Sequence, residues 1–185
     1  VPADTGLEGY LFPASYEIPH GENEEEILVR LLQRFEEELD DGTVSRLEEL
    51  GMSVHEWVTL ASLVQSEAGS DAEMPIIAGV FLNRLDLGMP MQSDPTVAYG
   101  LGKRMPELDP LAGDMRADHP WNTYVHGGLP PSPISNPGSS ALRSIFEPQR
   151  TDEAGEQYLY FLHGRDEGQP VFRVNTDLSG HNRDV

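Results

Sequence analysis

Cysteine is absent from the 185 residues, which excludes a disulfide framework, a thiolate zinc site and a cysteine nucleophile. The compartment stays open, because exported proteins also often lack cysteine. Cations are scarce as well. Twelve Lys and Arg face 32 Asp and Glu, and the formal charge of −20 repels polyphosphate, so nucleic acid is not an expected partner. Solubility or adaptation to salt explains such acidity at least as well as a basic ligand does. No run approaches the roughly 20 apolar residues that span a bilayer, and no signal peptide precedes Val1. His20, His55, His119, His126, His163 and His181 lack the i, i+4 pairing of a helical zinc site, so neither a metal nor a cofactor is expected. Ser132 and Ser135 lie in no nucleophile-elbow context, which sets serine hydrolysis aside.

The length suits one domain with a real core, and 18 Gly with 15 Pro point to many turns. Leu7 to Pro13 reads as a short extended segment. Asn23 with Glu26 forms a capping-box pattern, and Ile27, Leu28, Leu31, Leu32, Phe35 and Leu39 then recur at helical spacing until Gly42. A shorter helix is expected over Val44–Leu50. The next opens on Ser53 with Glu56 and carries Trp57, Leu60, Ala61, Val64 and Ala68 on one face. Ser70 with Glu73 resembles another box, leading a helix through Leu85 to a stop at Gly88. From Met89 to Gly138 proline and glycine are dense and little regular structure is expected. A loop that long inside a compact domain is usually functional or disordered, and Tyr99, Trp121, Asn122 and Tyr124 within it favour function. A helix over Ser139–Phe146 and a hairpin of Gln157–His163 against Pro170–Val174 complete the reading. The fold class is α+β: a helix-rich single domain with short strands, a C-terminal hairpin and a Pro/Gly-rich segment lining a cleft.

One carboxylate is out of place. At 100° per residue Glu67 falls between the directions of Leu60 and Leu63, at the edge of the buried stripe. A carboxylate there loses hydration in its charged form, so it keeps a proton to higher pH, as a general acid must. Edge positions also carry ordinary solvent-facing charges, and the wheel alone does not choose.

The surrounding motifs do more. Leu60-Ala61-Ser62-Leu63-Val64-Gln65-Ser66-Glu67-Ala68, Ile77 to Leu85, Met91 to Gly100, Trp121-Asn122-Thr123-Tyr124 and Gly128 to Gly138 follow one another in the order of the YceG-like (MltG) family, which the chain resembles. Leu7 to Pro13, Tyr158-Leu159-Tyr160-Phe161 and Ser179-Gly180-His181-Asn182 fit the same family, so the resemblance covers nearly the whole chain. It departs at Gln65, where many members carry an acid, and at Ala14, where many carry aspartate. Gln65 points to the polar flank of the wheel, which leaves Glu67 as the expected acid/base.

The resemblance implies the catalytic domain, over residues 1–185, of an endolytic murein lytic transglycosylase. Such an enzyme cuts the MurNAc–GlcNAc bond of nascent glycan strands without water, leaving 1,6-anhydro ends and limiting strand length. It further implies action outside the cytoplasm, an upstream membrane anchor cut from this chain, which starts without Met, and possible contact with cell-wall synthases. Holding an N-acetylated glycan calls for amides, hydroxyls and aromatic platforms. Gln92, Asp94, Thr96, Tyr99, Asn122, Thr123 and Tyr124 are the expected substrate-binding residues, with Leu129, Pro130, Ser132 and Asn136 from the proline-rich block. Gly128 to Ile134 is expected to form one rigid edge of the cleft. Tyr99 and Tyr124 could equally be core aromatics, Asn122 a loop cap, and Asp94-Pro95 a turn initiator. Two other functions fit the residues: a glycan-binding module that does not cut, and a hydrolase in which Asp94 assists water.

Overall fold

The computed structural model describes residues 6–184. Seven helices and one two-stranded sheet follow in the order α1 (Glu24–Glu36), α2 (Asp41–Leu50), α3 (Val54–Glu67), α4 (Met74–Asp86), α5 (Asp94–Leu101), α6 (Ser139–Ser144), β1 (Tyr160–Asp166), β2 (Gln169–Asn175) and α7 (Leu178–Asp184). Two single 3-10 turns lie between α5 and α6.

The core is built around α3. Ser53 caps it: its side chain accepts from the Glu56 N–H while the Glu56 carboxylate accepts from the Ser53 N–H. From Trp57 to Val64 every residue is buried, so the helix is enclosed on all sides rather than amphipathic. α4 and α6 pack on it, and Trp57 donates its indole N–H to the Leu142 carbonyl at 2.9 Å. Gly79 lets α4 approach the chain near Gln149: a Cβ there would lie 2.1 Å from the Gln149 carbonyl oxygen. α1 and α2 sit outside this layer, where Phe35 and Leu47 are the buried anchors.

Several boundaries differ from the sequence reading. Leu7 to Pro13 is a series of turns, not an extended segment, and its Tyr10 and Phe12 are core residues. α1 ends at Glu36, short of Gly42, because Asp40 caps a new helix by accepting from the Thr43 N–H. Glu73 does not cap from within α4, which starts at Met74. Its carboxylate accepts from the Gly69 N–H at 2.7 Å instead. The Pro/Gly-rich segment contains α5, with Pro95 in its first turn and Gly102 in the left-handed conformation at its end. α6 stops two residues early, at Ser144. The hairpin is shifted: β1 starts three residues later than expected, at Tyr160, and both strands reach closer to the turn at Glu167-Gly168, where both residues have positive φ. α7 had no counterpart in the reading.

Candidate active site

Glu67 is the last residue of α3. The helix is enclosed up to Val64, so its final turn is where its side chains first meet an opening. Glu67 stands at a cavity of about 490 Å³ that Arg84 of α4 also lines. Met91, Gln92 and Asp94 lead into α5, with Met105 and Tyr124 beyond; Tyr160 to His163 come from β1; Leu178 and His181 come from α7.

Ser93 holds the carboxyl, its hydroxyl donating to Glu67 Oε1 at 2.6 Å. Ser93 is itself immobilised. Its N–H donates to Thr123 Oγ1 at 3.0 Å, and its carbonyl accepts from Thr96 Oγ1 at 2.6 Å. The two threonine hydroxyls are 2.8 Å apart. Gln92, at φ 50°, turns the chain so that Ser93 points inward while its own side chain stays exposed at the cavity. A non-glycine residue held there costs about 1 kcal/mol, which the surrounding hydrogen bonds must offset.

Burial is the main reason the Glu67 pKa rises, from the usual 4.5 to about 7. The Ser93 hydrogen bond opposes the rise, the Asp94 charge adds to it, and His163 and Arg84 oppose it. The carboxyl therefore carries a proton for much of the time near neutrality. With Oε1 taken by the Ser93 hydroxyl, the proton belongs on Oε2.

The neighbours are committed elsewhere. Asp94 accepts from the Tyr124 hydroxyl at 2.6 Å. Burial, then the Asp94 hydrogen bond and charge, push the Tyr124 pKa well above the phenol range, so Tyr124 remains a donor. Arg84 is buried and gives its N–H groups to carbonyls, reaching Leu159 at 2.8 Å and Met91 at 2.6 Å. Its guanidinium lies over the Tyr160 ring, 5.2 Å from the centroid. His163 Nε2 is 2.9 Å from Glu73 Oε2, and His181 stacks on Tyr160 with centroids 5.4 Å apart. Among the described residues no group of three or more His, Asp or Glu side chains could hold a metal ion.

Of the residues expected from sequence, Glu67, Gln92, Asp94 and Tyr124 meet at this cavity. Thr96 and Thr123 are buried behind it as the clamp on Ser93. Asn122 is buried too; its amide donates to the Met115 and Ala117 carbonyls, and its Oδ1 accepts from the Tyr124 N–H. Tyr99 donates to Glu8 at 2.7 Å and packs on Trp121, its pKa pushed up to about 12 by burial and that bond. Ser132 accepts from the Trp121 indole, and Asn136 Oδ1 accepts from the N–H groups of Gly9 and Leu11.

Leu129 and Pro130 line a separate cavity of about 410 Å³ with Leu50, Met52, Glu56 and Leu85. Gly128 to Ile134 is therefore not an edge of the cavity that holds Glu67. It lies along α3, where Ser62 Oγ accepts the Ile134 N–H and His55 bonds the Pro131 carbonyl. Gln65 accepts the Gly138 N–H at 3.0 Å and does not line the cavity.

Sequence reasoning passed over Arg84, Ser93, His163 and His181 as site residues. Arg84 was open to the argument used for Glu67, since it lies seven residues after Ile77 and three after Phe81 on the apolar face of α4. His163 alternates with Phe161 on one face of β1. Nothing in the sequence showed that β1 and α7 would close on Glu67.

The sequence profile of the YceG-like family matches residues 2–185. A Bacillus subtilis (strain 168) protein named endolytic murein transglycosylase is 38% identical over 177 residues, 96% of this chain and 46% of that protein. A Streptococcus pneumoniae serotype 2 protein of the same name is 33% identical over 97% of this chain and 32% of that one. The chain thus spans less than half the length of these curated relatives. A crystal structure of a YceG-like protein from Listeria monocytogenes superposes with a TM-score of 0.82 at 35% identity, covering 97% of this chain and 55% of that one. The chain belongs to the YceG-like family.

Proposed function

We propose that residues 1–185 form the catalytic domain of an endolytic murein transglycosylase, with Glu67 as its only acid/base. The observation that carries this reading is one carboxyl with a pKa near neutrality, clamped on one oxygen by Ser93 and open on a cavity, in a chain whose relatives bear that name. Glycosidases that use water need two carboxylates with separate roles. Here the second carboxylate, Asp94, is engaged by Tyr124. A transglycosylase manages with one.

In the proposed reaction Glu67 gives its Oε2 proton to the glycosidic oxygen as the bond to the muramyl C1 breaks. The muramyl 6-hydroxyl then closes onto C1 and returns its proton to Glu67. The 1,6-anhydro ring forms, the acid is regenerated and no water is consumed. Proximity of an intramolecular hydroxyl replaces the ordering of a bound water. Gln92, Asp94 and Tyr124 offer amide, carboxylate and phenol contacts to the sugars beside Glu67.

The same proposal has the parent protein act on the wall outside the cytoplasm from a membrane anchor upstream, where cell-wall synthases would be within reach. No helix among the described residues is long and apolar enough to cross a membrane. Mass spectrometry of glycan strands incubated with the chain tests the reaction class. Anhydromuramyl ends are expected. Reducing ends would instead mark a hydrolase, and intact strands that stay bound would mark a binding module.

A further inference from the structure

The hairpin has an unpaired edge, and that edge belongs to the cavity wall. Among the described residues the sheet has two strands, so β1 is bonded to β2 on one side. Its register runs from Tyr160 opposite Asn175 to Asp166 opposite Gln169. A two-residue turn is closed by a hydrogen-bonded pair, after which bonded and non-bonded pairs alternate. Asp166, Gly164, Leu162 and Tyr160 therefore bond to β2, whereas Arg165, His163 and Phe161 direct their N–H and C=O groups away from it. Pro170, which has no N–H, sits opposite Arg165 and so fixes this phase. Among the described residues the Phe161 and His163 main chains have no partner outside the hairpin.

Side chains on a strand alternate between its two faces, yet four consecutive residues, Tyr160 to His163, line the cavity. Both faces of β1 are already in use. Phe161 packs edge-on against Phe81 of α4, and His163 bonds Glu73 just before α4. Tyr160, on the other face, stacks on His181 of α7. What four successive residues have in common is the strand's outer edge, which carries a free donor and acceptor at Phe161 and again at His163.

We propose that the outer edge of β1 is a secondary-amide subsite, in which the main-chain N–H and C=O groups of Phe161 and His163 take an amide of the murein strand lying across Glu67. The inference rests on the proposed function for the substrate and adds which groups of the chain read it. A strand edge offers an uncharged donor and acceptor in fixed geometry, the complement of a secondary amide. Its neutrality suits recognition by a molecule of formal charge −20, which would be a poor host for a further anionic ligand. Murein presents secondary amides in two places, the acetamido groups of its sugars and the stem peptide. Either extends the same contact.

The test uses the Glu67→Gln chain, chosen so that ligand is held without being turned over, labelled for amide-resolved NMR. It is titrated separately with an N-acetylglucosamine tetramer, with its de-N-acetylated counterpart and with a free stem pentapeptide. The Phe161 and His163 amide signals are expected to shift downfield and to gain at least severalfold protection from hydrogen exchange with the acetylated tetramer or the peptide. Arg165, on the same edge but outside the cavity, should not respond. A response to the tetramer assigns the acetamido group, and one to the peptide assigns the stem. Equal shifts with the de-N-acetylated sugar, shifts confined to residues other than Phe161 and His163, or no shift with any ligand would overturn the proposal. Failure here is separable from failure of the reaction: silent β1 amides in a chain that still makes anhydro ends sink the subsite alone. Responsive amides in a chain that makes reducing ends sink the reaction alone.

Discussion

Replacing Glu67 with glutamine should stabilise the protein, and by an amount that depends on pH. Burial in the folded state lifts the pKa of this carboxyl from 4.5 to about 7. Between those two values the native chain keeps a proton that the unfolded chain has released, so stability falls as pH rises through the window. Below 4.5 both states are protonated and the cost vanishes. Above about 7 both are ionised and it is constant, about 3 kcal/mol at 1.36 kcal/mol for each pH unit of the window. Glutamine is neutral throughout, nearly isosteric, and still accepts the Ser93 hydroxyl. Urea denaturation of both chains across roughly pH 4 to pH 8 should therefore show near-equal stability at the acid end and an advantage for the variant approaching 3 kcal/mol at the other. Taking the difference between the two chains cancels every titrating group that does not interact with the Glu67 charge. A pH-independent difference, or a less stable variant near pH 8, would refute the claim that Glu67 is a carboxylate charged at a cost.

The same proton governs turnover. As Glu67 must donate before it accepts, kcat/KM for strand cleavage should be flat below its pKa and fall about tenfold per pH unit above about 7, read from initial rates across buffers. Ser93→Ala removes a bond that lowers the Glu67 pKa and frees the carboxyl to rotate. Its descending limb should move to higher pH while kcat drops roughly tenfold or more with KM little changed, and an unmoved limb would show that Ser93 is only packing. Arg84→Met strands the buried carbonyl of Met91 and the partly buried one of Leu159. A loss of about 3 kcal/mol is expected by urea denaturation, and a loss below about 1 kcal/mol would mean that water replaces the guanidinium. Gly79→Ala forces a methyl to within 2.1 Å of the Gln149 carbonyl oxygen and should lower the melting temperature through a cost of about 1–3 kcal/mol.

The helices with strong caps were legible in the sequence because their signals are local. Asn23 with Glu26 and Ser53 with Glu56 both form the reciprocal boxes that their spacing announces. Glu67 was only half legible: the helix wheel put it at the edge of an apolar stripe without choosing between an acid and a solvent-facing charge. The family motifs chose it, and α3 proves to be enclosed on all sides up to Val64, with the opening only at its last turn. The misreadings share a different cause. Ser70 and Glu73 have the spacing of a box, but Glu73 finds the Gly69 N–H and the His163 ring, a contact 90 residues away that outweighs the local signal. α5 was hidden by the proline and glycine density of its segment, although Pro95 and Gly102 stand where they start and stop a helix.

Several polar residues in the Pro/Gly-rich segment were candidates for sugar contact, and burial divides them. Asp94 and Tyr124 face the cavity, whereas Thr96, Asn122 and Thr123 are spent on holding Ser93 and Tyr124 in place. Sequence supplies the residue type but not which side of the wall it stands on. The wall formed by β1 and α7 arises from contacts among segments far apart in the chain, for which no local pattern exists.

The account turns on Glu67 as the group that moves the proton. Glycan strands incubated with the chain and, in parallel, with its folded Glu67→Gln variant should yield anhydromuramyl ends only from the former, while the variant retains strand binding. Undiminished anhydro-end formation by the variant would place the acid elsewhere and contradict the account.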